Sequence, residues 1–405
     1  MIYQIRADCK GHGRKPTNNT APTSMRVIII GGGIGGLTAA IALHKRGIDT
    51  RVYERSVALG DVGAGIALWP NAVKSLRKLG LGDLLQSISV TNVDSALRRW
   101  DGTFISRTAA RELERQFGGG MLVLHRAELL DMLAGSAGAG NIHLGHDLSA
   151  IDTNDPGVSA GFTNGATAHG DVLIGADGLR STVRGWLGHV DRIRYSGYTA
   201  WRSVVPFDHS LLIPAETWGP GRRFGAFPIQ GDRVYWFATS NAPEGEGDSD
   251  SAPQSYLLSL FEGWHEPIET LIQAADDSMI LHNDIYDCDP LAEWGRGRVT
   301  LLGDAAHPMT PNLGQGACQA IEDAMELAAC IAGETNAELG LERYEKSRIA
   351  RTGAIVLASR RLGRIAQIGE PFLCRLRDAV LQLTPSVVAY HGLRRIVGYE
   401  GHLAD

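Results

Sequence analysis

The sequence predicts an α/β protein, with a Rossmann-like nucleotide domain interrupted by an inserted mixed sheet and followed by a C-terminal helical segment. Three observations predict it. Strand-like Val27–Ile30, a helical pattern over Gly35–Arg46 and strand-like Thr50–Glu54 form a βαβ start. From about Arg192 to Asp284 aromatic and polar residues alternate, as in Tyr198-Thr-Ala-Trp-Arg202, Arg223-Phe-Gly-Ala-Phe227 and Arg233-Val-Tyr-Trp-Phe237. That alternation reads as a sheet with one face toward a core or cavity. Arg298-Val-Thr-Leu-Leu302 then returns to the type of a buried parallel strand, with a long helix expected from about Gly316 to Ala332.

The remaining elements fill in this plan. Helical segments are expected around Asn71–Leu79 and Arg126–Ala134, and a further buried strand at Asp171–Gly175. The acidic, Gly/Ser-rich Glu244–Ser251 reads as a loop. The last fifty residues are mostly amphipathic helix, broken by Pro371 and Pro385. The expected nucleotide domain is therefore discontinuous: 25–75 with 120–190 and 285–350. The inserted domain takes 76–119 with 191–284, and 351–405 form the C-terminal helices. Residues 1–24 are polar, slightly basic and free of any apolar run, and read as a disordered tail rather than a targeting segment.

Composition narrows the function. A net charge of −6 with no long basic run excludes a nucleic-acid partner. The five cysteines (Cys9, Cys288, Cys318, Cys330, Cys374) are scattered without a CxxC pair, which points to reduced thiols in a cytoplasmic protein. No apolar stretch reaches the roughly 20 residues that a membrane-spanning helix needs. His143-Leu-Gly-His146 and His282-Asn-Asp284 lack metal-site spacing, so no metal is expected. The chain is expected to act as a monomer or homodimer.

Gly31-Gly-Gly33-Ile-Gly35-Gly36 carries a GxGxxG at Gly31, Gly33 and Gly36, directly after a strand and opening a helix. The first glycine makes the turn, the second admits a pyrophosphate, and the third packs helix on strand. The helix N-terminus then offers N–H groups to phosphate. Glu54, followed by Arg55, ends the second strand 18 residues past Gly36. A carboxylate there accepts both adenosine ribose hydroxyls and repels a 2′-phosphate, which favours FAD or NAD over NADP as the bound nucleotide.

Two further motifs decide for FAD. Asp177-Gly178 with Ser181 and Arg184 resembles the DG motif of class A flavoprotein monooxygenases. Gly303-Asp304-Ala-Ala-His-Pro308, running into Pro311-Asn-Leu-Gly314-Gln315-Gly316-Ala317, resembles their GD motif. With the glycine fingerprint these span Gly31 to Asp323, nearly the whole chain.

The resemblance implies the p-hydroxybenzoate hydroxylase type of fold and non-covalent FAD. Asp304 would meet the ribityl hydroxyls, and Gly314–Ala317 the flavin's pyrimidine edge at a helix N-terminus, which favours negative charge there. Arg126, in Leu124-His-Arg126, matches a family arginine beside the flavin. Gly63-Ala-Gly65-Ile-Ala67 matches the loop that passes the isoalloxazine. No second GxGxxG follows a strand, so NADH or NADPH would dock transiently as reductant. Oxygen would then add at flavin C4a, and the hydroperoxide would hydroxylate a small planar ring.

On the substrate side Arg202, Arg223 and Tyr235 stand out as polar side chains amid aromatic strands. Arg223–Phe237 resembles both bacterial urate hydroxylases and quinolone hydroxylases in register. Leu281–Asp284, Met309–Leu313 and the Arg361–Pro385 region lean toward the quinolone enzymes. Strand alternation puts Arg223, Gly225 and Phe227 on one face. A buried arginine there needs a carbonyl or anionic partner, and a ring oxygen would serve. The rival readings are an epoxidase or antibiotic-modifying monooxygenase of the same fold, and a non-catalytic flavin-binding protein. A flavin-dependent halogenase would need a WxWxIP segment, which the sequence lacks.

Overall fold

The structure, a computed structural model, describes residues 25–60, 64–91, 93–153, 157–189, 193–246 and 252–399. The expected tail, Cys9, Gly63 and the 247–251 part of the acidic loop lie outside the described residues.

The first layer is a five-stranded parallel sheet in the order Val299–Leu301, Val172–Gly175, Arg26–Ile30, Asp49–Tyr53, Ile142–His143. Its central strands are apolar on both faces because helices cover one and the three-stranded antiparallel sheet Leu148–Asp152, Val158–Phe162, Thr167–Gly170 packs on the other. Ile28 and Ile29 are fully enclosed, as are Leu173 and Ile174. The helix Ile34–His44 is apolar nearly all round for the same reason: it packs against both Arg126–Ala137 and Gly316–Ala332. Leu76, Leu79, Leu81 and Leu85 join this core. The stretch 76–87, expected in the inserted domain, thus packs with the nucleotide layer.

The second layer is a seven-stranded mixed sheet, ordered Leu281–Cys288, Ile193–Pro206, Arg233–Asn241, Arg222–Ile229, Ala215–Gly219, Ser95–Arg99, Phe104–Thr108. Every neighbouring pair is antiparallel except Ala215–Gly219 on Ser95–Arg99. The sheet crosses the expected division at 284, since its strand Leu281–Cys288 runs beyond it.

Period-2 alternation divides its side chains cleanly. Trp201, Val205, Phe224, Ala226, Val234, Trp236 and Ala238 face the helices Pro253–Leu260 and Ile268–Gln273 and make a second core. Burying an aromatic or large aliphatic side chain there stabilises by roughly 1.5–3 kcal/mol. That anchors the outer face and leaves the inner face free to carry polar groups. Arg202, Arg223, Phe227, Tyr235, Phe237 and Thr239 look inward.

The C-terminal region is three helices, Ala337–Ala366, Pro371–Leu383 and Ser386–Val397. The first starts where the Asn336 side chain accepts from the Glu338 N–H. Pro371 and Ser386 begin the others, each at a break that a proline imposes. No described helix is long and apolar enough to cross a membrane.

Candidate active site

The glycine turn has the geometry its sequence requires. Gly31 sits at φ +112°, and a Cβ there would lie 2.2 Å from the Ala176 carbonyl oxygen. A Cβ on Gly36 would lie 2.0 Å from the Gly31 carbonyl oxygen, so this residue lets the helix close on the turn. At Gly33 nothing lies within 4 Å of the Cβ position. Gly33 caps the helix Ile34–His44 with no side-chain hydrogen bond to it, which leaves the first N–H groups to a ligand. Glu54 takes the Gly32 N–H at 2.6 Å and the Ser56 N–H at 2.9 Å, and so sits beside the turn. Arg55 is exposed. Tyr53 stacks between His143 and Phe162, with His146 edge-on, so both histidines of His143-Leu-Gly-His146 belong to an aromatic cluster next to Glu54.

The two motif loops are tied to each other. Asp177 accepts from Ser181 Oγ at 2.5 Å and from the Thr182 and Val183 N–H groups, capping the helix Thr182–Trp186. Burial raises its carboxyl above the usual range, and those three donors oppose the rise. Arg184, 4% exposed, donates to the carbonyls of Leu179, Ala305 and, at 3.4 Å, Asp304. Its guanidinium therefore clamps the Asp177 loop to the Asp304 loop.

Asp304 is accessible to solvent although deep in the molecule, because the surface it exposes is cavity wall. Enclosure pushes its carboxyl up, partly offset by His307, Arg126 and Arg184. Arg126 lines the same wall, its side chain interacting electrostatically with Asp304 and Arg202. Gly314, Gly316 and Ala317 also line it, at the start of the helix Gly316–Ala332. Gln315 does not: its side chain accepts from Asn71 and Gln319 in the interior. Leu124 is likewise an interior strand residue, while its neighbour Val123 reaches the wall. Ala67 lines the cavity.

These walls enclose one cavity of about 600 Å³ that continues to the inner face of the mixed sheet. There Arg202, Arg223, Phe227, Tyr235, Phe237 and Thr239 face it. Gly65 lies flat against Tyr235, since a Cβ would fall 2.1 Å from the ring's Cγ. Enclosure raises the Tyr235 hydroxyl pKa, and Arg202 opposes that by charge and hydrogen bonding. Arg202 also reaches Asn283 at 3.4 Å.

Arg223 is 3% exposed and held on all sides. Its Nε donates to Gln367 at 2.8 Å and Thr239 at 3.3 Å, Nη2 to Asn312 at 2.8 Å, and Nη1 to Glu216 at 3.1 Å. Sequence reasoning placed Arg223 among aromatic strands and expected a ring oxygen of the substrate as its partner. In the structure a protein carboxylate, Glu216, holds it.

Glu216 and Arg348 carry no sequence signal, and although Asn312, His307 and Asp323 lie in or beside the Gly303–Gly316 motif, nothing in it shows that Asn312 meets Arg223 or that His307 and Asp323 join an ion cluster beneath the Gly303 loop. In that cluster Asp323 accepts from Gly303 N–H, His307 Nε2 and Arg348 Nε. His307 and Arg348 hold the Asp323 carboxyl well down, to about 2, against the opposing effect of burial. His307 thus positions the loop rather than facing the cavity.

Comparison with known proteins agrees with this geometry. A family described as an FAD binding domain matches residues 24–359. The aurachin C monooxygenase/isomerase of Stigmatella aurantiaca is 40% identical over 366 residues, covering 90% of this chain and 95% of that protein. The FAD-dependent urate hydroxylase of Klebsiella pneumoniae is 35% identical over 365 residues, covering 87% and 95%. Among solved structures, Klebsiella pneumoniae HpxO complexed with FAD and uric acid superposes with a TM-score of 0.87 at 32% identity, over 92% of this chain and 96% of that one. A salicylate hydroxylase substrate complex gives 0.75 at 26% identity, over 94% and 99%.

Proposed function

The chain belongs to the FAD-binding-domain family and is an FAD-dependent monooxygenase with the p-hydroxybenzoate hydroxylase type of fold; from that premise we propose that it uses NADH or NADPH and O2 to hydroxylate a small planar aromatic or heteroaromatic ring. One observation carries the reading. A single cavity joins an uncapped helix N-terminus and the carboxylate of Asp304 to a wall of aromatic rings and arginines.

The residues present fit FAD. The open space at Gly33 and the N–H groups after it suit a pyrophosphate, and Glu54 suits the adenosine ribose. Asp304 would accept from the ribityl hydroxyls. Gly314, Gly316 and Ala317 would lay backbone along the flavin's pyrimidine edge, where the helix N-terminus favours negative charge. Bound FAD supplies the redox chemistry, taking a hydride from the nicotinamide and activating O2 for transfer of one oxygen atom to the ring.

The chain's own contribution is position and dryness. Phe227, Tyr235 and Phe237 give a flat ring apolar surface and keep water from the reacting edge. Arg202 holds the Tyr235 hydroxyl as a polar handle within that surface. Arg126, set against Asp304, adds positive charge at the nucleotide end.

The test follows NADH and NADPH oxidation together with peroxide release across a panel of ring compounds. At least one ring is expected to accelerate oxidation severalfold while suppressing peroxide. A protein that binds FAD yet oxidises neither nicotinamide faster with any ring is not a hydroxylase of this kind.

A further inference from the structure

We infer that the sheet end of the cavity selects an electrically neutral, carbonyl-bearing heteroaromatic ring over an anionic one, because Glu216 cancels the charge of Arg223 where the ring is held. The inference rests on the ring-hydroxylase reading and names the substrate class for that site.

Arg223 and Glu216 both line the cavity. An anionic ring beside a lone, enclosed guanidinium would be strongly attracted by its charge. Here the Glu216 carboxylate already lies 3.1 Å from that guanidinium. Its repulsion acts on the same ring from a similar distance and removes most of the gain. The other partners of Arg223 (Gln367, Asn312 and Thr239) are neutral and fix the guanidinium in place, so it cannot swing away from Glu216 to meet an anion.

The pair remains well suited to a neutral ring that bears both N–H and C=O. Both hydrogen bonds of the Glu216 side chain fall on Oε1, from Trp218 Nε1 at 2.8 Å and from Arg223. Among the described residues none donates to Oε2, which leaves an acceptor for a ring N–H. Arg223 lines the same wall and keeps guanidinium N–H groups beyond the bonds named above for a ring carbonyl. Of the two remaining cavity arginines, Arg126 is set against Asp304 at the nucleotide end, and Arg202 is held on the sheet by Tyr235 and Asn283, whose side chains are neutral.

The test uses FAD-loaded protein and two probes, 4(1H)-quinolone as the neutral ring and urate as the monoanion, titrated against the flavin absorbance. Wild type is expected to bind quinolone at least tenfold more tightly than urate. Glu216→Gln removes the opposing charge, and with its oxygen held by Trp218 and Arg223 it puts an amide NH2 where Oε2 accepted. It is expected to tighten urate about tenfold and to weaken quinolone severalfold. Glu216→Asp, which keeps the charge, should retain the wild-type preference. Equal or tighter binding of urate by wild type overturns the inference, and so does an unchanged ratio in Glu216→Gln. Should that variant fail to hold FAD, the wild-type ratio alone decides. The broader reading fails separately: urate accelerating nicotinamide oxidation while quinolone does not breaks only this inference, whereas no ring accelerating it breaks the hydroxylase assignment.

Discussion

At one end of the cavity Gly33 and the start of the helix Gly316–Ala332 turn backbone toward the space; at the other, Arg223, Tyr235, Phe227 and Phe237 turn side chains toward it. The backbone end can hold a ligand only if the main chain keeps its shape, and that shape depends on residues with no Cβ. The side-chain end depends on which partners surround each polar group. The first has little tolerance for substitution and the second has room to change specificity. Each can be broken in a way the other cannot.

The largest effect is expected at the backbone end. Gly31→Ala forces a Cβ to 2.2 Å from a carbonyl oxygen at a φ that L-residues avoid. Strain and overpacking together cost on the order of 3–5 kcal/mol. The purified variant should carry little FAD and melt far below wild type. Normal flavin content in Gly31→Ala would show that the turn is not the rigid element described here.

Next comes Arg223→Met. Sequence alone suggested that this change would spare stability, because the arginine's partner was expected to be the substrate. With Glu216, Gln367, Asn312 and Thr239 around it, the change strands a partly buried carboxylate and several acceptors. A loss of about 2–3 kcal/mol in thermal or denaturant unfolding is expected, together with raised substrate KM. An unchanged melting temperature would mean that the network is not holding the sheet to the C-terminal helices.

Glu54→Ala should act on the cofactor alone. Loss of charge-assisted hydrogen bonds to the ribose is worth roughly 1.5–3 kcal/mol each, so FAD affinity should fall at least tenfold while the fold survives. An unaltered FAD dissociation constant places the adenosine elsewhere. The smallest effect is expected for Tyr235→Phe, which keeps the ring and removes the hydroxyl. FAD content and melting temperature should stay within error. KM should rise a fewfold, with more peroxide released per nicotinamide oxidised. If coupling is untouched, Tyr235 merely supports Gly65.

The same contrast explains what could be read from the chain. The turn at Gly31, the strand at Val172 and the helix Gly316–Ala332 were legible because backbone constraints act locally and leave glycine and apolar patterns in order. The inner face of the mixed sheet was legible as a face through alternation. Its chemistry was not. Arg223 meets Asn312 and Gln367 across 89 and 144 residues of chain, and no local pattern ties either partner to it. Asp177 and Arg184 show a different limit. Their motif marks a loop on the cavity wall through Ala176 and Gly178, but their own side chains cap a helix and clamp two loops rather than face the cavity.

The order of strands in the parallel sheet also bears on how the protein comes to exist in the cell. Arg26–Ile30 and Asp49–Tyr53 emerge early in synthesis, but the edge strand Val299–Leu301 and Asp304 just after it come some 250 residues later. FAD therefore has no complete binding site to act on while the first two-thirds of the chain is being made. During that interval the apolar faces of the early strands await partners not yet translated, a long non-local closure that slows folding and exposes the nascent chain to aggregation. Flavin therefore cannot template the unfinished polypeptide.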